Sequence, residues 1–141
     1  PNYRHAEYMT WPRAFAVAEA LWSPKDKRNW DNFTGRLEGQ FARLDAADVK
    51  YARSVYQAII SGVKGANDSL NVQLETEIKG LDVYYTFDGT DPDNFYPKYM
   101  GKPLEIPKGA TEIRVVTYKG NKQAGQQINF PLKDLKVKAV R

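Results

Sequence analysis

The stretch LNVQLETEI at residues 70–78 decides the fold class, because apolar side chains alternate with polar ones along its whole length. A period of two is typical of a β-strand with one face in a core and the other in water. Similar patterns predict further strands on either side of it, at residues 55–63, 81–87, 111–119, 126–130 and 134–140. Because turns rich in glycine and proline separate these short strands, we expect an antiparallel β-sandwich of the immunoglobulin or fibronectin type.

The N-terminal third of the chain follows a helical period instead. Five apolar side chains recur every three or four residues and form one stripe, at Tyr8, Trp11, Phe15, Ala18 and Trp22. Pro12 interrupts this pattern and predicts a kink or break near Trp11, because proline lacks a backbone donor and crowds the preceding turn. The segment SPKD (23–26) predicts a second helix capped by Ser23, which should end within LDAAD (44–48).

Two helices are too few to make a domain of their own. A second apolar stripe of Ala14, Val17 and Leu21 lies beside the first, so the first helix is apolar on most of its circumference. Such a helix must be buried against more than one partner. We therefore expect an α+β fragment of a longer protein. Residues 1–50 would be the incomplete end of a larger helical or α/β domain, and residues 51–141 a complete β-sandwich.

Composition excludes several kinds of function. The net charge is +4, but the lysines are scattered between predicted strands rather than interleaved with aromatic side chains on one face, so we expect no nucleic-acid partner. No apolar run is long enough to span a membrane. The chain has no cysteine and one histidine, His5, so a thiol nucleophile and the usual histidine-based triads lack their parts. We predict no catalytic residue, metal site or cofactor in this chain.

The segment YYTFDGTDP (84–92) begins like a strand and ends on a cluster of turn-forming residues. Its acids allow two interpretations. Asp88, Asp91 and Asp93 could hold a weakly bound Ca²⁺, although a calcium loop needs more oxygen ligands than these. Turn chemistry explains more, because aspartate bonds to nearby backbone and glycine reaches positive φ. We interpret the five residues Asp88, Gly89, Thr90, Asp91 and Pro92 as a structural corner.

Two tyrosines near this corner are candidates for sugar contact. Tyr84 should lie on the outer face of its strand, opposite in direction to Tyr85, and Tyr96 belongs to the loop that follows the corner. An exposed aromatic ring offers a flat apolar surface on which a sugar ring stacks. Packing beneath a loop is the commoner role for such side chains, so both roles stay open for Tyr84 and Tyr96.

The helical segment resembles a known family. EYMTWPRAFAVAEALWSPKDKRNWDNFTGRL (7–37) is similar to the end of the catalytic barrel of glycoside hydrolase family 20, the β-N-acetylhexosaminidases. RLDAADVKY (43–51) resembles the stretch with which those barrels close. The segments YYTFDGTDP and YPKYMGKPLEI (96–106) resemble the chitobiase/β-hexosaminidase C-terminal domain, a small β-sandwich that is appended to many bacterial enzymes of this family.

The resemblance implies a function for the parent protein and a position for this chain within it. The helices would be the last of a (β/α)8 barrel that removes terminal N-acetyl-hexosamine with retention, by a substrate-assisted route. By the resemblance, the family's catalytic Asp–Glu pair would lie upstream of Pro1. Arg13 and Glu19 match family positions, but on a helix outside the mouth of a barrel, so we interpret them as structural.

The remaining expectations also follow from the resemblance. The partners would be the rest of the barrel and the parent's glycan substrate, and the parent would be periplasmic, secreted or on the cell surface. The sandwich would be a structural accessory domain, and the chain alone would be inactive. The alternative is that the sandwich is a carbohydrate- or cell-wall-binding accessory module.

Overall fold

The computed structural model of the chain describes residues 2–65 and 68–137. It divides between Arg53 and Ser54 into a helical unit and a sandwich unit. The sequence analysis placed the division at residue 50. Whether the helical unit is the end of a barrel stays a prediction.

The described part of the helical unit contains three α-helices, where the sequence analysis predicted two. They are α1 (Tyr3–Thr10), α2 (Arg13–Trp22) and α3 (Trp30–Ala46). The predicted break near Trp11 is confirmed, because α1 ends at Thr10 and α2 begins after Pro12. The third helix ends at Ala46, inside the predicted stretch.

The predicted start of this last helix is wrong. Residues Lys25–Lys27 form one 3₁₀ turn, and the long helix begins only at Trp30. Its N-cap is Asn29 rather than Ser23, since the Asn29 side chain accepts a hydrogen bond of 2.9 Å from the backbone N–H of Asn32. A side-chain oxygen at the N-cap satisfies one of the helix's unpaired donors, which makes Asn29 the effective start signal.

Burial in the helical unit is concentrated on α3. Phe33, Leu37 and Phe41 are buried along one side of this helix, and the Tyr51 ring stacks on Phe41 at 4.6 Å. By contrast, neither α1 nor α2 contains a buried residue. In the described part of the chain, no helix combines the length and hydropathy that a bilayer crossing requires.

The sandwich unit contains seven strands among its described residues. They are β1 (Ala58–Lys64), β2 (Leu70–Thr76), β3 (Asp82–Thr86), β4 (Leu104–Glu105), β5 (Glu112–Lys119), β6 (Lys122–Gln123) and β7 (Ile128–Pro131). The two-residue strands β4 and β6 are absent from the sequence prediction, because a pair of residues carries no alternation.

The predicted last strand at 134–140 is not observed as a strand. Residues Leu132–Asp134 form a 3₁₀ turn, and Val137 makes an isolated parallel bridge to Gly62 on β1. The remaining residues of the predicted strand, 138–140, lie outside the described residues. The parallel bridge is an exception in a unit whose strand pairs are otherwise antiparallel.

Two antiparallel sheets share one core. The first sheet has the order β1-β2-β4, and in the second β5 lies between β3 on one side and β6 and β7 on the other. Val72 and Leu74 from the first sheet pack with Val83, Ile113 and Val115 from the second. Two antiparallel sheets with a common core are consistent with the predicted β-sandwich.

Pairing between β3 and β5 positions the corner. Thr86, the last residue of β3, lies opposite Arg114 near the start of β5. The loop after β3 and the loop before β5 therefore meet at the same end of the sheet. All five residues of the predicted corner are in the first of these loops.

Candidate functional site

The corner after β3 is closed by hydrogen bonds within five residues. Asp88 Oδ1 accepts a bond from the backbone N–H of Thr90 at 3.0 Å and another from its hydroxyl. The buried hydroxyl of Thr86 donates to the carbonyl of Thr90 at 2.6 Å, which folds the loop back over the strand. These bonds from Thr90 hold the pKa of Asp88 below its usual range, because they favour the charged carboxylate.

Gly89 occupies backbone space that other residues enter only with strain. Its φ is +79°, in the left-handed region. A Cβ placed there would meet only Glu112 Oε1, at 3.9 Å, so the constraint is the backbone angle rather than crowding.

Asp91 joins the corner to the neighbouring strands. Its Oδ1 accepts a bond of 2.7 Å from the Gln127 amide and pairs with the Arg114 guanidinium at 2.6 Å. The Gln127 bond and then the Arg114 bond hold the pKa of Asp91 below its usual range. Arg114 also bonds Glu112 at 2.8 Å, so its guanidinium lies between two carboxylates and its pKa is raised.

The third acid of the segment also bonds to its own chain. Asp93 Oδ1 accepts a hydrogen bond of 2.8 Å from the backbone N–H of Phe95, and Pro92 is buried between the two acids. Within residues 2–65 and 68–137, no three histidine or carboxylate side chains come together in a way that would hold a metal ion. The corner acids therefore act on the backbone and on Arg114, and the structural role assigned to the corner is tested by substitution below.

An open groove of about 600 Å³ lies beside the corner. Its lining includes five apolar or aromatic residues, Tyr85, Phe87, Tyr96, Pro97 and Pro107. It also includes three charged residues, Asp88, Lys108 and Glu112. The T-shaped contact of Tyr85 and Phe87, with ring centroids 5.9 Å apart, packs against the core and supports the apolar residues of the lining.

The two candidate sugar-contact tyrosines are in different places. Tyr96 lines the groove, whereas Tyr84 does not. Tyr84 makes an edge contact with Tyr118 on β5 at 5.5 Å, on the opposite side of β3 from Tyr85. The structure therefore separates the pair and leaves Tyr96 as the one of the two that lies in a concave surface.

Sequence analysis missed Lys108 and Glu112 as possible site residues. Residues 107–110 were treated only as one of the glycine- and proline-rich turns between predicted strands, and Glu112 only as part of the strand at 111–119. They become neighbours only through strand order, which a single sequence does not show. Antiparallel pairing of residues 82–86 with residues of 112–119 brings the loops at 87–92 and 107–111 together.

A second groove, of about 520 Å³, lies between α2 and α3 in the helical unit. Glu19, largely covered, forms an ion pair of 2.8 Å with Arg36 in its lining, and the Trp22 side chain lies at the edge with 87% exposure. Arg13 donates to the backbone carbonyl of Met9 at 3.2 Å. Glu19 and Arg13 therefore bond within the helical unit.

Comparison with known proteins gives matches to both units. Residues 72–131 match the family model described as Fn3 associated. The matched residues lie within the sandwich unit. A β-hexosaminidase of Porphyromonas gingivalis is 28% identical over 120 residues, which are 81% of this chain and 15% of that protein. A β-hexosaminidase of Akkermansia muciniphila is 49% identical over 37 residues, which are 26% of this chain and 8% of that protein.

These matches confirm the resemblance to hexosaminidases that the sequence analysis identified. This chain spans only a small part of each of these two relatives, so their activity is that of much larger proteins. The corner and every residue that lines the sandwich groove fall within residues 72–131, the part of the chain that is similar to the Fn3-associated family.

Proposed function

We propose that the chain is the C-terminal part of a β-N-acetylhexosaminidase of glycoside hydrolase family 20. In this proposal the helical unit completes a catalytic (β/α)8 barrel, and the Fn3-associated domain is a non-catalytic accessory domain. The parent hydrolyses terminal N-acetyl-hexosamine with retention and substrate assistance, and is periplasmic, secreted or on the cell surface. The observation that carries the proposal is the uncovered apolar face of α2.

One face of α2 is apolar and exposed along its length. Ala16, Val17, Ala20 and Leu21 are spaced so that they share a contiguous arc of the helix, and all four are exposed. Val17 is 56% exposed and Leu21 is 73% exposed. Burying a valine or leucine completely stabilises a protein by about 1.5–3 kcal/mol, so this face loses a substantial stabilisation in the absence of a partner.

The side of α2 that carries Phe15, Ala18 and Glu19 lies beside α3. Ala16 and Ala20 line a smaller cleft with Trp30 and Phe33, so Val17 and Leu21 are the residues of the apolar face that point away from α3. Phe15, Ala18 and Glu19 are only partly exposed there, and Glu19 pairs with Arg36 of α3. A helix with apolar residues on both sides requires neighbours on both sides. In a (β/α)8 barrel each helix packs on the barrel strands with one side and meets neighbouring helices with others, which matches this pattern.

The accessory role of the sandwich rests on what its acids do. A glycosidase needs two carboxyl groups, or one and a substrate acetamide, in a water-excluding site. Asp88, Asp91 and Asp93 each accept bonds from their own chain at an exposed corner. We infer that the acid/base residues belong to the part of the parent outside this chain.

Two preparations test the proposal: the 141-residue chain, and the longer polypeptide that carries it. Both are incubated with a chromogenic N-acetyl-β-glucosaminide. We expect turnover by the longer polypeptide and none above background by the chain. Turnover that copurifies with the chain, or a longer polypeptide without hydrolysis, contradicts the proposal.

A pair of variants tests the position of α2. In the longer polypeptide, Val17→Asp combined with Leu21→Asp places charges on the face proposed to meet the barrel, and we expect loss of soluble, active enzyme. Phe95→Asp is the matched control, because Phe95 is 90% exposed in the sandwich unit. Equal activity of both variants would show that the α2 face has no partner in the parent.

A further inference from the structure

The groove beside the corner combines two kinds of chemistry in its lining. Aromatic rings and proline rings lie there together with an amine and two carboxylates. A volume of about 600 Å³ falls within the range of about 300–1,000 Å³ for small-molecule pockets. Its lining has the apolar surface with a few placed polar groups that is typical of such pockets.

Local bonds fix the positions of the lining residues. Thr86 and Asp88 close the corner through Thr90, and the backbone N–H of Ala110 donates to the carbonyl of Pro107 at 3.1 Å in the other loop. Pro97 and Pro107 also restrict the backbone, because proline fixes φ. A groove built this way loses little conformational entropy when it takes up a ligand.

Hydrogen bonds also orient the carboxylate side chains in the groove lining. Asp88 is held through Oδ1 by Thr90, and Glu112 is held through Oε1 by Arg114. A carboxylate has two oxygens and about four acceptor sites, so each keeps acceptor capacity for a ligand. Lys108, an exposed side chain, adds an ammonium group with three donors.

We propose that this groove binds a neutral glycan that contains N-acetyl-hexosamine, with Tyr96 as the stacking platform. Sugar hydroxyls donate to Asp88 and Glu112, and Lys108 donates to an acetamide carbonyl. The C–H face of the ring packs on the Tyr96 ring. The choice of N-acetyl-hexosamine rests on the proposed function, whereas the aromatic and polar lining residues are properties of the groove itself.

An extended proline-rich peptide is the competing occupant, because aromatic grooves also bind such segments. Residues in a polyproline conformation offer few donors, since proline has none on its backbone. Such a ligand would cover Asp88 and Glu112 without supplying hydrogen bonds, which costs free energy. A glycan has many hydroxyl donors and matches these acceptors better.

Isothermal titration of the 141-residue chain with N,N′,N″,N‴-tetraacetylchitotetraose tests the proposal. We expect saturable binding, which Tyr96→Ala weakens by roughly fivefold or more. Phe95→Ala is the matched control, because this neighbouring ring is 90% exposed and does not line the groove. It should bind as the wild type does.

A second variant covers the case in which Tyr96→Ala disturbs the fold. Thr111 also lines the groove and is exposed, so Thr111→Arg fills the groove without entering the core. Its guanidinium also competes for Asp88 and Glu112. We expect it to weaken binding by roughly fivefold or more as well, with an unchanged circular dichroism spectrum.

Four results would overturn the proposal. They are no binding by the wild type, equal binding by the wild type and Thr111→Arg, equal weakening by Phe95→Ala and Tyr96→Ala, or saturable binding of a proline-rich peptide in place of the glycan. Hydrolysis by the longer polypeptide is measured separately on a chromogenic monosaccharide. An active parent whose groove does not bind overturns only the groove, and a binding groove on an inactive parent overturns only the proposed activity.

Discussion

The sandwich unit buries its own apolar side chains, whereas the helical unit leaves many of its own in water. In the sandwich, Val72, Ile113 and Val115 are completely covered, and they belong to two sheets that close on each other. In the helical unit, α1 and α2 contain no buried residue at all. The difference teaches that alternation along strands identifies a self-contained fold, whereas an apolar helix surface identifies a fold only together with its partners.

Two exposed aromatic side chains sharpen this contrast. Trp22 is 87% exposed and Phe95 is 90% exposed, so their exposure alone does not separate them. Trp22 ends the stripe of Phe15 and Ala18 and lies at the edge of the groove between α2 and α3, whereas Phe95 lies in a loop between Asn94 and Tyr96. Single apolar side chains on a surface are ordinary, but contiguous apolar patches mark interaction sites.

The largest expected effect is self-association of the 141-residue chain through the α2 face. We expect the wild-type chain to form reversible oligomers as its concentration rises, because Val17 and Leu21 remove their surface from water by pairing with a second copy. Val17→Lys combined with Leu21→Lys should return the chain to a monomer in sedimentation velocity.

Phe95→Lys is the control for this measurement and should leave association unchanged. Hydrogen exchange on the same samples supplies a second observation. Amides of α2 should become more protected with rising concentration, whereas those of β5 should be strongly protected throughout, since core strands open only with the whole fold. A wild-type chain that stays monomeric at high concentration would contradict the claim that the apolar face of α2 requires a partner.

The next largest effect is a loss of stability expected at Gly125, where the sandwich unit has no room for a side chain. A Cβ at Gly125 would lie 2.6 Å from the carbonyl oxygen of Tyr56 and would also crowd the buried Thr117 hydroxyl. Gly125→Ala should therefore destabilise the sandwich by about 3 kcal/mol, at the upper end of the usual cost of overpacking. Denaturant unfolding followed by circular dichroism measures the change.

The matched substitution in the helical unit should have the opposite sign. Gly35 lies within α3, and nothing lies within 4 Å of a Cβ at this position. Gly35→Ala should stabilise α3 by about 0.5–1 kcal/mol, because alanine loses less conformational freedom than glycine in a helix. If Gly125→Ala proves as mild as Gly35→Ala, the close approach of Tyr56 to residue 125 is wrong.

Much of the sandwich could be predicted from sequence, because in a strand with one face in water the alternation of apolar and polar residues indicates which side chains are buried. The alternation at 70–78 correctly predicts that Val72, Leu74 and Ile78 are buried. The exceptions lie at the two ends of β2, where Leu70 is 36% exposed and Thr76 is partly exposed. A short strand such as β4 has too few residues to show a period, and only its pairing with β2 defines it.

Helix boundaries and the groove were harder to predict, for different reasons. Ser23 and Asn29 are both good N-cap residues, and the choice between them depends on the backbone path after Pro24. The groove joins Tyr96, Lys108 and Glu112, which belong to separate loops and strands. Only the pairing of β3 with β5 brings them together, and a single sequence does not show that pairing.

A smaller effect is expected from the corner. Gly89→Val should destabilise the sandwich by roughly 1–2 kcal/mol, because valine is β-branched and resists a φ of +79°. The surrounding space is open, so the cost is that of the backbone alone. Thermal unfolding with Gly89→Asn as the matched variant checks this, since asparagine enters the left-handed region more readily and should cost less.

The Ca²⁺ interpretation of the same corner predicts another outcome. If the acids held calcium, added Ca²⁺ would raise the melting temperature of the wild type by several degrees and Asp88→Asn would abolish the rise. If the corner serves the backbone, Ca²⁺ and chelator should give the same melting temperature. Asp88→Asn should then be milder than Asp88→Ala, because asparagine retains a side-chain acceptor for the Thr90 N–H.

The smallest expected effect is a pH dependence of the sandwich unit's stability that arises from the titration of Asp91. Bonds from Gln127 and Arg114 lower the pKa of Asp91 in the folded state, whereas in the unfolded chain an aspartate has a pKa of about 3.9. A lowered folded pKa means that the unfolded state takes up protons first. The contribution to the free energy of unfolding is therefore present above about pH 4 and is lost as the pH falls through the folded pKa. Asp91 is 72% exposed, so water and salt screen the pair and the effect should be small.

Asp91→Asn removes the titrating group, and its loss of stability between pH 5 and pH 2 should be smaller than that of the wild type. Gln127→Ala keeps the acid but removes the amide that donates to Asp91 Oδ1 at 2.7 Å, so it should lie between them. If all three proteins lose the same stability between pH 5 and pH 2, the bonds around Asp91 do not contribute to the pH dependence of stability.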